Sequence, residues 1–318
     1  MGAPATAFAL PRRTSFFSSM SNLRNHSPHV QETISNEGLP LLALSGAFGS
    51  ARFSPQGAHL LDYTPKDGLP LLFLSANTHL VPGKPIRGGI PVIFPWFGPR
   101  VGHPESPMHG IVRTRLWNLE ETRVPEQGPA TVRFSFQSSA ETRALWPHDF
   151  RLSLEFVLGT TLDIRWEVEN TGATPFTFEQ ALHPYFPIKN IHQASVTGLQ
   201  GALFIDKTDA FQRKPDAAGA VVFSQETDRL YLHTTSDCIV RDPASGRELV
   251  VSKTGSSSSV VWNPWIAKAA ALEDLGDHEW QSFVCVEQVN AAENAITLPA
   301  GGSHILTTRY NFSNPAQS

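Results

Sequence analysis

The sequence predicts an all-β protein, a single large antiparallel β-sandwich with few short helices. Short apolar runs recur along the chain with turn residues between them. Several alternate apolar and polar residues with a period of two, the pattern of a strand with one buried face. Helical periodicity is scarce by comparison. At 318 residues the chain has room for one large domain or two small ones. Many short strands without a clear linker favour one sandwich, which buries alternating residues from two sheets in a common core.

Met1 to Gln31 carries Arg12, Arg13, Arg24 and several serines but no acidic residue. It reads as a disordered tail or, by composition, as an organelle transit peptide. Residues 1–35 are therefore set apart from a sandwich domain over residues 36–314. Within that domain, apolar runs stand at Leu41–Leu44, Leu69–Leu74 and Thr131–Phe136. The alternation is clearest in Arg151–Leu158 and Leu162–Val168. One late helix is expected from Pro264 to Leu275, with Asn263 capping its start, Pro264 in the first turn and Gly276 ending it. Ser256–Ser259 reads as a polar loop, and no internal repeat is visible.

Hydrophobic residues make up 41% of the chain and charged residues 17%, which suits a packed core rather than a disordered chain. The formal net charge of −4 offers no basic field for a nucleic-acid backbone, so any anion site must come from locally placed cations. No apolar run approaches the roughly 18 residues that a membrane span needs. A soluble, cytoplasmic protein is expected, with organelle targeting by the tail as the alternative. Cys238 and Cys285 are too few for a disulfide framework or a four-thiolate zinc site, and both lie in apolar strand-like runs. They read as buried thiols in a reducing compartment.

Arg87-Gly88-Gly89-Ile90-Pro91-Val92-Ile93-Phe94-Pro95-Trp96-Phe97-Gly98-Pro99-Arg100 is the most informative stretch, followed closely by His109-Gly110-Ile111-Val112-Arg113. Its Gly and Pro content excludes a helix interior or a central strand. Arg87, Arg100 and Arg113 place three planar, permanently charged donors near one aromatic loop, which points to phosphate or carboxylate recognition. The competing reading is three surface charges or salt-bridge partners. Against that, Gly88 and Gly89 open the backbone to a ligand, while the prolines fix the loop's path.

In Phe176–Phe186, Pro184 disfavours a helical backbone at His183, placing that imidazole at the end of an extended segment among aromatics. There it either exchanges protons near neutrality or serves as a structural histidine. In Ser282–Val289, Glu287 is the one carboxylate in a continuous apolar strand. Such a group faces a polar cleft or has a raised pKa, and both suit a general base better than a solvent-facing edge position does. No phosphate-binding G-x-x-x-x-G-K-[ST] loop, dinucleotide fingerprint or G-x-S-x-G elbow is present. His103, His109, Glu179 and His183 lack metal-ligand spacing, so no metal is expected.

Taken together, these stretches resemble the glucose-6-phosphate 1-epimerases, the hexose-phosphate mutarotases of the aldose 1-epimerase group. The similarity runs through Arg87–Phe97, His109–Trp117, Phe178–Phe186, Gln225–Asp228, Val261–Trp265 and Phe283–Gln288, in that order. It implies a galactose mutarotase-like β-sandwich that interconverts the α and β anomers of a hexose 6-phosphate without a metal or organic cofactor. By resemblance, His183 is the general acid and Glu287 the general base. Arg87 and Arg113 contact the phosphate, and Asp228 holds sugar hydroxyls. His109 either supports the opened intermediate or packs beside Arg113. Met108 stands where relatives often carry a small or polar residue, which puts one phosphate contact from that loop in question.

The expected partner is a small hexose phosphate, and a monomer is expected. The alternatives are an epimerase of unphosphorylated aldoses and a non-catalytic sugar-phosphate-binding protein.

Overall fold

The computed structural model describes residues 29–215 and 219–313. Two large antiparallel sheets dominate them. The nine-stranded sheet runs Val221–Val222, Ser195–Thr197, Cys238–Asp242, Arg247–Thr254, Ser303–Ser313, Leu162–Asn170, Phe150–Leu158, Ala130–Gln137 and Asn118–Arg123. The eight-stranded sheet runs Gln212–Pro215, Leu203–Asp206, Thr227–Tyr231, Ser258–Asn263, Phe283–Asn290, Gln180–Leu182 and Val92–Ile93, and Tyr185–Pro187 also pairs with Phe283–Asn290. A smaller four-stranded sheet is built from Val30–Ile34, Pro40–Gly46, Gly49–Ser54 and His59–Pro65.

The period-two pattern has its expected use. Along Phe150–Leu158, the side chains of Phe150, Leu152, Leu154, Phe156 and Leu158 are buried and those between are more exposed. Leu162, Ile164, Trp166 and Val168 do the same on the neighbouring strand. Each such side chain contributes about 1.5–3 kcal/mol by leaving water. The large sheets meet through contacts such as Phe186 against Tyr310, and through the Tyr310 hydroxyl, which donates to the side-chain Oε1 of Gln288.

Several expectations are corrected. Leu69–Leu74 forms no strand: Pro70 has no amide proton to give, and the neighbouring amides are claimed singly, Leu71 by Tyr63 and Phe73 by Tyr185. The late helix spans only Trp265–Ala270, although the Asn263 side chain does accept the Trp265 amide at 3.0 Å. Beyond it, the chain passes through turns to a short 3-10 helix, Glu279–Ser282, where the Glu279 carboxylate gathers the Gly276 amide, the Ala76 amide and the Ser75 hydroxyl. A second helix, Ala140–Leu145, starts at a capping box made by Ser139 and Thr142.

Ser258 and Ser259 belong to a buried strand rather than a loop, and the Ser259 hydroxyl accepts from buried Lys253. Val30–Ile34 pairs with Pro40–Leu44 as an edge strand, so a domain start at residue 36 would divide a hairpin. Residues 1–28 lie outside the described residues. Both cysteines are free and buried. Among the described residues no helix is long and apolar enough to cross a membrane.

The glycine pair Gly88-Gly89 has a structural cause. A side-chain carbon on Gly88 would come within 2.5 Å of the Phe73 carbonyl, and one on Gly89 within 2.3 Å of the Leu60 carbonyl. The loop is pressed onto the sheet there, over the fully buried His59, whose Nε2 donates to the Gly88 carbonyl at 2.8 Å. Burial lowers the His59 pKa from 6.5 to about 4, with the Gly88 hydrogen bond opposing.

A folded pKa below the unfolded one means the stability His59 contributes is present above pH 6.5 and lost as the pH falls toward 4. The loss amounts to about 3 kcal/mol. Thermal melts between pH 7 and pH 4 are expected to fall more steeply for the wild type than for His59→Gln. Equal slopes would remove His59 as the cause.

Candidate active site

Strand register brings the two proton-transfer candidates together. On strand Phe283–Asn290, Leu182 faces Gln288 and Tyr185 faces Cys285, so the register continues through the gap and sets His183 opposite Glu287. The gap exists because Pro184 cannot donate to the ladder, and the His183 amide turns to the Pro91 carbonyl at 3.0 Å. Gln288 and Phe186 point into the sandwich toward Tyr310. By alternation, Glu287 and Tyr185 point the other way, into a cleft.

The result is a close pair: His183 Nε2 lies 3.2 Å from Glu287 Oε1, and the Glu287 side chain is 2% exposed. The His183 ring stacks on Tyr185 and meets Trp262 edge-on. His183 Nδ1 and Glu287 Oε2 are buried and have no hydrogen-bond partner among the described residues. Buried polar atoms are rarely left unpaired, so both mark a place where an incoming ligand supplies the missing contacts.

The pair lines a cavity of about 450 Å³ together with Arg87, Arg113, His109, Asp228 and Lys207. That is the size range of small-ligand sites. Asp228 reaches it from strand Thr227–Tyr231, opposite Trp262. Arg87 donates from Nε to Asp274 at 3.1 Å and from Nη1 to the Tyr185 hydroxyl at 3.0 Å. Arg113 donates to the Met108 backbone carbonyl at 2.8 Å and forms no ion pair among the described residues.

Arg100 is a correction: it stacks over Trp96 and donates to the Leu145 carbonyl, and it is not part of the cavity wall. Glu179 likewise holds backbone, accepting the Phe97 and Ala292 amides at 2.8 Å each. Among the described residues no His, Cys, Asp or Glu cluster has metal-binding geometry.

Burial governs the electrostatics. It pushes the Glu287 carboxyl well above its usual range, with Lys207 opposing and Asp228 adding to the shift. Burial, assisted by the positive charge of Arg87, lowers His183 from 6.5 to about 3. Burial and the like charge of Arg87 lower Arg113 to about 10, so it stays cationic at neutral pH. Burial works against the charge of Arg87, but Tyr185 and Asp274 more than offset it, and its pKa rises. His109 is held neutral, mainly by burial. Its Nδ1 accepts the Gly98 amide at 3.2 Å, which leaves the ring proton on Nε2.

Residues 40–311 match the aldose 1-epimerase family. The chain belongs to the aldose 1-epimerase family. A protein of Cenchrus ciliaris, provisionally named glucose-6-phosphate 1-epimerase, is 34% identical over 86% of this chain and 85% of its own length. An Escherichia coli protein with the same provisional name is 36% identical over 80% of this chain and 84% of its own. The crystal structure of a provisionally assigned mutarotase from Salmonella typhimurium superposes with a TM-score of 0.84 at 31% identity, covering 91% of this chain and 95% of that one. The fold is thus the galactose mutarotase-like β-sandwich. As an aldose 1-epimerase family mutarotase, the protein is an isomerase with a sugar substrate.

The sequence pattern did not single out Lys207, Asp274 or the Tyr185 hydroxyl. Lys207 and Asp274 lie in turns that carry no motif. Tyr185 lies two residues beyond His183, and period two puts both on one face.

Proposed function

We propose that this aldose 1-epimerase family member is a glucose-6-phosphate 1-epimerase, interconverting the α and β anomers of a hexose 6-phosphate. The observation that carries the phosphate is Arg113: a charged guanidinium in the cavity wall with no carboxylate partner among the described residues. A neutral sugar gives that charge nothing to meet. Arg87, oriented by Asp274 and Tyr185, supplies the second cation.

In the catalytic cycle, Glu287 takes the proton of the anomeric hydroxyl while His183 delivers one to the ring oxygen. The ring opens to the aldehyde, rotation about the first carbon–carbon bond presents the other carbonyl face, and the roles reverse on closure. The pair needs one proton in total. A neutral imidazole beside a protonated carboxyl and an imidazolium beside a carboxylate hold the same number, and they differ by a transfer across 3.2 Å.

Burial favours the neutral form in the empty cleft. A bound phosphate neutralises Arg87 and Arg113, two of the charges that hold His183 down, and so favours the imidazolium that the reaction uses. The same anchoring keeps the open chain in place until it recloses.

Magnetisation-transfer NMR, comparing anomer exchange of glucose 6-phosphate and glucose side by side, tests this reading. Exchange is expected to be much faster for the phosphorylated sugar. Equal acceleration of both points to an epimerase of unphosphorylated aldoses. Tight binding of glucose 6-phosphate without exchange points to a binding protein.

A further inference from the structure

We propose that Lys207 is a positioning residue of the proton-transfer machinery. It fixes the Asp228 carboxylate and sets the pH range over which the Glu287–His183 pair carries its single proton. This rests on the mutarotase reading above.

Lys207 follows directly on strand Leu203–Asp206, and its backbone amide donates to the Asp228 carbonyl at 2.9 Å. Its ammonium returns to the same residue, 3.0 Å from Asp228 Oδ1, with the two side chains 20% and 15% exposed. The ammonium also lies 4.4 Å from the centre of the Phe97 ring, which in turn packs against His109. The ammonium thus sits between the Asp228 carboxylate and the Phe97 ring at the wall of the cavity that contains Glu287. Such a network is more than a surface ion pair needs.

The groups acting on Glu287 come from every element around it. His183 faces it across the strand gap, and Tyr185 and Cys285 neighbour it on the same face. Asp228 acts from strand Thr227–Tyr231, and Lys207 from the hairpin beyond. Two carboxyl groups therefore line one cavity, and Lys207 is the cation that counters both. His183 feels Lys207 as well, together with Arg87 and Arg113, so without Lys207 Asp228 loses its partner and both Glu287 and His183 hold a proton more tightly.

Because the active pair carries a single proton, removing a nearby positive charge raises both of its macroscopic pKa values. The whole bell-shaped profile then moves to higher pH.

The test is the pH profile of glucose 6-phosphate anomer exchange for the wild type, Lys207→Met, Lys207→Gln and Lys207→Arg. The Met and Gln variants are expected to show both limbs displaced upward by about one pH unit. Below the acid limb their kcat falls about tenfold, with KM changing far less, and Lys207→Arg restores the wild-type limbs.

A uniform loss at every pH with unmoved limbs would mean that Lys207 merely supports the fold. An unchanged profile in the Met and Gln variants would mean that it does nothing for catalysis. Either result overturns the proposal while the mutarotase reading stands. Absence of exchange in the wild type overturns that reading instead.

Discussion

Glu287→Gln is expected to lower anomer exchange by at least the 10²- to 10⁴-fold that a positioned general base contributes, while hexose 6-phosphate still binds. The carboxyl is fully buried, 3.2 Å from His183, and glutamine has nearly its shape. The amide cannot take the anomeric proton, so chemistry stops while the cleft keeps its form. Stability gives a second readout. A carboxyl whose folded pKa is raised contributes stability that is complete below its unfolded pKa and lost as the pH rises through the folded one. Glutamine has no such loss, so the variant is expected to melt at or above the wild-type temperature, with the gap widening toward alkaline pH. Magnetisation-transfer NMR, calorimetric titration with glucose 6-phosphate and thermal melts check these outcomes. Full exchange in the variant removes Glu287 as the base.

Glu287 was legible in the sequence because a lone carboxylate in an unbroken apolar strand has no cheap place to go. His183 was legible because the proline after it forces an extended backbone. Both signals come from local chemistry acting on one chain segment. The alternating strands at Phe150–Leu158 and Leu162–Asn170 could be read for the same reason, since the pattern is the pleat itself.

Leu69–Leu74 misled because apolar content records burial and not pairing, and its amides are divided among different partners. Arg100 misled because nearness in sequence to Arg87 says nothing about where a loop end turns; it settles on Trp96 instead. Asp228 carries a turn-like local sequence but lies in a strand opposite Trp262, and only the resemblance pointed to it. Lys207 and Asp274 could not be read at all. Their partners, Asp228 and Arg87, lie far along the chain, and strand pairing or loop packing alone brings them together. Gly88 and Gly89 were read as making room for a ligand, yet the structure uses them to press the loop onto the sheet.

Arg113→Ala is expected to separate phosphorylated from plain sugar. A charge-assisted hydrogen bond contributes about 1.5–3 kcal/mol, so KM for glucose 6-phosphate should rise roughly 10- to 100-fold. Exchange of free glucose should keep its kcat/KM, because a neutral sugar makes no use of the charge. Arg113 is the cleaner target of the two arginines, since its hydrogen-bond partner is a backbone carbonyl that can turn to water. Arg87→Ala strands the Asp274 carboxylate and the Tyr185 hydroxyl, both partly or wholly buried, and so lowers stability as well as affinity. Comparing the two variants by melting temperature separates binding from folding. If Arg113→Ala weakens glucose and glucose 6-phosphate by the same factor, the guanidinium shapes the cleft rather than binding phosphate. If it weakens neither, the phosphate lies elsewhere and the hexose 6-phosphate specificity falls with it. The acid–base pair is untouched by that outcome, because its geometry depends on strand register and not on either arginine.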